Sequence, residues 1–209
     1  MGSATMGTGK CPEETRGRLP RMSPSLDEIT ESLRNPERLF SIPELIGLPR
    51  ETWPSAGIYG WWFDVMPGSC PLGNATGFSR WHLLYVGIGP VNEASGRTFR
   101  DRVLANHVKG TARNSTLRLS LGSLLWDSIG LMPTPYGGKV NFGTTESALS
   151  EWMNAHCRVS WVTHPEPWTA ETGVMSRLDL PLNIEHNSNH PFCSVLSSAR
   201  ERVRRHAPG

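Results

Sequence analysis

Two tyrosines, each within two residues of a glycine in a short apolar run, are the residues of this chain best placed to do chemistry: Tyr59 in Gly57-Ile58-Tyr59-Gly60 and Tyr85 in Tyr85-Val86-Gly87. Glycine neighbours mark a place where backbone or ligand comes close, so a phenol there can face a groove rather than a packed wall. Further along, Phe99, Val103, Leu104 and Val108 recur at helical spacing and form a wide apolar face. Arg102 lies at the margin of that face, about 60° from Phe99 at 100° per residue. A guanidinium at such a boundary can reach a phosphate while its stem stays packed. His107 falls inside the apolar arc, which reads first as a core or supporting histidine and second as a catalytic one.

The elements that position these groups follow from local pattern. Gly57-Ile58-Tyr59-Gly60-Trp61-Trp62-Phe63 and Leu83-Leu84-Tyr85-Val86-Gly87 read as two antiparallel strands. Between them, Asp64 to His82 holds Pro67, Gly68, Pro71, Gly73, Asn74 and Gly77, an enlarged hairpin loop with nothing to build a core. Ser95 or Thr98 can cap the helix that carries Arg102, and Gly110 ends it. Upstream, Ser25 caps a helix to Leu33, with Leu26, Ile29 and Leu33 on one face. Ser41-Ile42-Pro43-Glu44-Leu45 opens a second helix that Gly47 stops, and Pro49 and Pro54 then carry the chain in extended form.

Downstream, helices are expected from Ser115 to Leu125, from Glu146 to about His156 and from about Thr169 to Leu178. Pro133 to Gly138 reads as a loop and Arg158 to Val162 as a strand. Interleaved helices and strands give an α/β layer: a small mixed or antiparallel β-sheet flanked by helices, with N- and C-terminal helical extensions. The expected division is a flexible segment over 1–24, a helical extension over 25–56, the main domain over 57–191 and a basic helix over 192–209.

Size and composition narrow the class. With 209 residues, the chain suits one domain with extensions. Mean hydropathy of −0.35 and the lack of any long apolar run argue against a membrane span. The first ten residues lack the apolar stretch of a signal peptide, so the expected location is the cytoplasm. Cys11, Cys70, Cys157 and Cys193 show no paired spacing, which indicates free thiols rather than zinc or disulfides. A net charge of +2 is too small to imply a polyanion partner, but its distribution is uneven. Arg97, Arg100, Arg102, Lys109, Arg113 and Arg118 cluster against the single acid Asp101, and Arg200, Arg202, Arg204 and Arg205 cluster near the C-terminus. Such patches suit local phosphate contacts.

The order of these features resembles the GIY-YIG nuclease family over roughly Gly57 to Asn183. The residues that carry the resemblance are Gly57-Ile58-Tyr59, Tyr85-Val86-Gly87, Arg102 three residues after Phe99, His107, Glu171 on a later helix, and Asn183 after Pro181-Leu182. The chain departs from the family pattern in four places. Its spacer between the tyrosines is long, and Trp62 stands where some members have a lysine. His107 is displaced by one residue, and Asn114-Ser115-Thr116 occupies a position where some members have a histidine.

The resemblance implies a metal-dependent DNA endonuclease with Tyr59, Tyr85, Arg102, His107, Glu171 and Asn183 at its catalytic site. One Mg²⁺ or Mn²⁺ is expected on Glu171, which suits a hard cation that keeps most of its waters. Arg102 would pair with the scissile phosphate, and Tyr59 would accept the proton of the attacking water directly or through a second water. Tyr85 would orient the phosphate or that water, and Asn183 would hold the loop beside the site. Arg97, Arg100, Lys109, Arg113, Arg118 and Arg202 are the expected DNA contacts, and Trp62 and Trp81 could stack on an unpaired base. A homodimer or a partner protein could add specificity. The rival readings are a catalytically silent DNA-binding module on the same fold and an RNA-directed nuclease.

Overall fold

Gly57–Phe63 (β2) is the middle strand of a five-stranded sheet, and all seven of its residues are buried. The computed structural model describes residues 23–75, 80–185 and 187–207, so most of the N-terminal segment 1–24 lies outside the described residues. The sheet runs in the order β1-β7-β2-β4-β3, with Phe40–Ser41 as β1, Asn74–Ala75 as β3, His82–Gly89 as β4 and Cys157–Thr163 as β7. Every pairing is antiparallel. β2 reads as an unbroken apolar run because both its faces are covered, the condition under which alternation disappears.

One face of the sheet carries Tyr59, Trp61, Phe63 and Tyr85, packed with Phe99, Val103, Leu121 and Phe142. The other carries Ile58, Trp62, Leu83, Val86 and Ile88, packed with Ile29 and Leu33 of α1 (Leu26–Arg34) and Ala170 and Val174 of α5 (Pro167–Met175). The first face is covered by a π-helix over Asp101–Val108 and by α3 (Thr116–Leu125), α4 (Glu146–His156) and α6 (Cys193–His206). The expected α/β layer with helices on both sides is therefore present.

The pairing of β2 with β4 slips once: Trp61 faces Tyr85 and Trp62 faces Leu83, which leaves Leu84 as an extra residue. Leu84 and Tyr85 consequently share one core, as the two residues of a bulge do. Beyond the short β3, the outer edge of β4 is closed by the chain itself. Leu182 donates its N–H to the Leu84 carbonyl, and the Asn183 side chain bonds both backbone groups of Val86.

Several segments differ from the expectation. Arg50–Thr52 forms a 3₁₀ turn instead of extended chain, and the spacer holds the two-residue strand β3. The stretch 133–138, expected as a loop, contains one arm of a hairpin, Thr134–Tyr136 (β5) with Lys139–Asn141 (β6). Residues 25–56 supply β1 and two helices, α1 and Ile42–Gly47 (α2), each opened by a serine capping box at Ser25 and Ser41. Among the described residues no helix is long and apolar enough to cross a membrane.

Candidate active site

The register of the central strands sets Tyr59 directly opposite Gly87. A Cβ on Gly87 would lie 2.5 Å from the Tyr59 hydroxyl, so the glycine that follows Tyr85-Val86 makes room for the other tyrosine's functional atom. Gly89 does the same for the next element: a Cβ there would meet the Phe99 Cα at 2.8 Å and the Arg102 Cγ at 3.2 Å. The helix carrying Arg102 thus packs directly on the β4 backbone, and the Arg102 Nε–H donates to the Ile88 carbonyl at 3.4 Å.

That helix is capped by Thr98, whose Oγ1 accepts from Asp101 N while the Asp101 carboxylate accepts from Thr98 N and Oγ1. It then widens into a π-helix over Asp101–Val108, and Lys109 N donates to the Leu104 carbonyl five residues back at 2.8 Å. The widening decides where His107 goes. Residues five apart are about 140° apart around an α-helix, but in a π-turn the hydrogen bond spans five residues and they return to the same side. Arg102 and His107 therefore face one cavity, and the one-residue displacement of His107 is absorbed by the wider turn.

His107 is buried and bridges two hydroxyls. Its Nε2 lies 2.8 Å from the Tyr59 Oη, and its Nδ1 lies 2.7 Å from the Ser115 Oγ. Ser115 is the N-cap of α3, and its Oγ also accepts from Arg118 N at 3.1 Å. Burial, reinforced by the charges of Arg102 and Arg118, pushes the His107 pKa down to about 3, so the ring is neutral at pH 7. Burial raises the phenols of Tyr59 and Tyr85 above the ordinary tyrosine range, although the Arg102 guanidinium pulls both back. The Tyr85 hydroxyl lies 3.4 Å from Thr116 Oγ1.

The cavity measures about 280 Å³. Its floor is Val86, Gly87 and Ile88 of β4, and one wall is Arg102 and His107. Asn114 and Thr116 at the start of α3, Glu171 of α5, the segment Asn183–Glu185 and Arg200 of α6 close the remaining sides. Tyr85, Arg102, His107, Glu171 and Asn183 therefore meet in one cavity. Tyr59 sits behind it, fully buried and joined to it through His107, so its hydroxyl does not open to a groove as expected. Asn183 uses its carbonyl on Val86 N at 2.8 Å and its amide on Val86 O at 2.7 Å, which fixes the cavity floor.

The expected DNA contacts divide. Arg97, Lys109, Arg113 and Arg202 are exposed, and Arg100 is half-buried. Arg97 Nη1 donates to Asn106 Oδ1, while the guanidinium of Arg113 lies 4.2 Å over Tyr136. Arg118 is a correction. It is fully buried, pairs with Glu146 at 2.6 Å and cannot touch DNA. Glu146, which reads as an ordinary surface acid, also accepts from Ala112 N and Phe142 N. Trp62 is buried as well, with its Nε1–H donated to Ser160 Oγ, and offers no surface to a base.

Three site residues escape the sequence reading, Ser115, Glu185 and Arg200. Ser115 carries the signal of an N-cap before an apolar run. Arg200 shares the buried stripe of α6 with Leu196, Ala199 and Val203, a helical spacing that places one member of the basic cluster inward. The cavity also suits a divalent cation. Its ionisable oxygen donors are the carboxylates of Glu171 and Glu185, and among the described residues no group of three or more His, Cys, Asp or Glu converges as a closed metal cage would need. Such an oxygen set fits Mg²⁺ or Mn²⁺ bound largely through water.

A protein-family model described as "GIY-YIG catalytic domain" matches residues 57–202, from β2 into α6. No curated protein and no solved structure matches the chain.

Proposed function

Because the chain belongs to the GIY-YIG family, whose members are nucleases, we propose that it is a divalent-metal-dependent DNA endonuclease whose active site is the cavity between β4, the π-helix, α3 and α5. The observation that carries this reading is the convergence of Tyr85, Arg102, His107, Glu171 and Asn183 on one cavity from stretches far apart in sequence.

In this reading Arg102 grips the scissile phosphate with its planar fork, and Tyr85 donates its hydroxyl to a phosphoryl oxygen or to the attacking water. Proton removal needs more than a tyrosine, since a phenol whose pKa burial has raised is not ionised at pH 7. Tyr59 acts instead as a relay. Because its hydroxyl is buried behind the cavity, a second water carries the attacking water's proton to it as its own passes to His107 Nε2, with the resting proton of His107 on Nδ1 and donated to Ser115 Oγ. The charge of a bound phosphate raises the imidazole's proton affinity, so the relay is tuned by substrate. Glu171, with Glu185 nearby in the cavity, would hold Mg²⁺ or Mn²⁺, which supplies Lewis-acid stabilisation of the leaving oxygen when bound. Asn183 keeps the strand backbone under the phosphate in register.

Cleavage of plasmid, linear, branched and single-stranded DNA, and of RNA, with Mg²⁺ or Mn²⁺ tests this reading, comparing the native chain with Glu171→Gln. The expected outcome is metal-dependent DNA cutting that falls at least about 10²-fold in the variant, the scale of losing a group that acts on the transition state. Cutting of RNA alone would move the substrate to RNA. Tight DNA binding with no cutting on any substrate would mark a silent binding module.

A further inference from the structure

A guanidinium buried without a salt bridge needs an explanation, and Arg200 is one. Its residue is only 7 % exposed, and it makes no ion pair among the described residues. Its Nη2 donates to Ser120 Oγ at 2.6 Å and to the Thr116 carbonyl at 3.4 Å. Its Nε is buried with no hydrogen-bond partner. Nη1 makes no bond to the described residues either, and the side chain lines the cavity. Glu185 lines the same cavity but forms no ion pair with it. Burial pushes the Arg200 pKa down, and the Glu185 carboxylate across the cavity, which forms no ion pair with it, offsets this only in part.

The same part of the cavity receives the start of α3, a ten-residue helix whose N-cap is Ser115. The first N–H groups of a helix have no intrahelical acceptor and carry the positive end of its dipole, an arrangement that attracts phosphate. Thr116, the first residue of the helix, is exposed and lines the cavity beside Asn114.

We propose that Arg200 and the first turn of α3 form a second phosphate subsite, which holds a phosphodiester next to the one gripped by Arg102. The C-terminal helix is then part of the substrate site, and two guanidinium groups on separate elements clamp successive phosphates of one strand. This rests on the nuclease reading for the identity of the anion, while the subsite itself rests on the geometry above.

The test measures equilibrium binding of a fluorescein-labelled DNA duplex in EDTA across a range of salt, with the native chain, Arg200→Gln and Arg200→Lys, each checked by circular dichroism. Arg200→Gln is expected to bind roughly tenfold more weakly, the scale of one hydrogen bond to a charged group. The slope of log affinity against log salt should become shallower by about 0.9, the value of one phosphate contact. Arg200→Lys should keep the slope. An unchanged slope in a folded Arg200→Gln protein overturns the proposal, as does an equal loss in both variants, which would mark a structural role.

If Arg200→Gln does not fold, the native chain is assayed on duplexes bearing one neutral methylphosphonate at each position flanking the cut. A flanking position that raises KM about tenfold with kcat unchanged supports the subsite. No such position overturns it. If the native chain cuts no nucleic acid, the nuclease reading fails, and the salt slope of Arg200→Gln alone decides whether the anion subsite exists.

Discussion

Two buried arginines flank α3, and their surroundings differ in kind. Arg118, on the helix itself, is fully buried with its guanidinium nitrogens engaged by Glu146, the His107 carbonyl, the Glu146 carbonyl and Ser150. Arg200 reaches α3 from α6, is almost as buried and meets only a hydroxyl and a carbonyl there. One region satisfies its cation with a carboxylate and closes over it, whereas the other leaves its cation facing a cavity. A buried charge is stable only when paired, so the first arrangement belongs to the fold and the second to a ligand that arrives later.

The largest effect expected from this contrast lies in the closed region. Glu146→Ala would strand the Arg118 guanidinium without its anion and leave Ala112 N and Phe142 N without an acceptor. Breaking a buried pair by removing one partner costs about 3–5 kcal/mol. Urea unfolding should show that loss. Arg200→Gln, which removes a buried charge that has no salt bridge, should leave the unfolding free energy unchanged or raise it. A loss below about 1 kcal/mol for Glu146→Ala, within the range of an exposed pair, would erase the distinction between the two regions.

How much of this was legible in the sequence depends on how local each feature is. The strands bearing Tyr59 and Tyr85, the helix cap at Ser25, the helix start at 41–45 and the helix from Glu146 to His156 are set by neighbours in sequence, and the structure has them. The π-turn is not local in this sense. An i→i+5 bond replaces i→i+4 only in the packed molecule, so a reading at 100° per residue puts Arg102 and His107 on different sides. The burial of Arg118 depends on a partner on another helix, which periodicity along one helix cannot reveal. The two-residue strand β3 is too short to leave a pattern inside a loop rich in glycine and proline.

His107 sits on the boundary between the two regions, which makes it a sharper probe of the contrast. Its carbonyl accepts from Arg118 while its ring lines the cavity. Its folded pKa, about 3, lies below the ordinary 6.5, so between those values the unfolded chain binds a proton that the folded chain does not. The stability held above pH 6.5 is therefore lost as the pH falls toward 3, by at most about 1.4 kcal/mol per pH unit for one proton. Urea midpoints measured from pH 7 to pH 4 should fall in the native chain. His107→Gln should flatten the curve over that range. An identical curve in the variant would mean that the folded imidazole titrates near its unfolded value, so that burial does not hold it neutral below pH 6.5.

The smallest effect belongs to a third setting, the exposed guanidinium. Arg113 lies only five residues before Arg118, yet it stacks on Tyr136 of the β5–β6 hairpin in open solvent. A charge there contributes little to folding, so Arg113→Ala should change the unfolding free energy by no more than about 0.5 kcal/mol. If that face meets DNA, the variant should bind more weakly whatever the sequence of the duplex, with a salt slope shallower by about 0.9. Its KM should rise without a change in kcat, because a contact outside the cavity adds equally to ground state and transition state. Binding titrations over a salt series read the outcome directly. An unchanged slope would confine phosphate recognition to the cavity arginines, and a fall in kcat would place Arg113 closer to the chemistry than its exposed position allows.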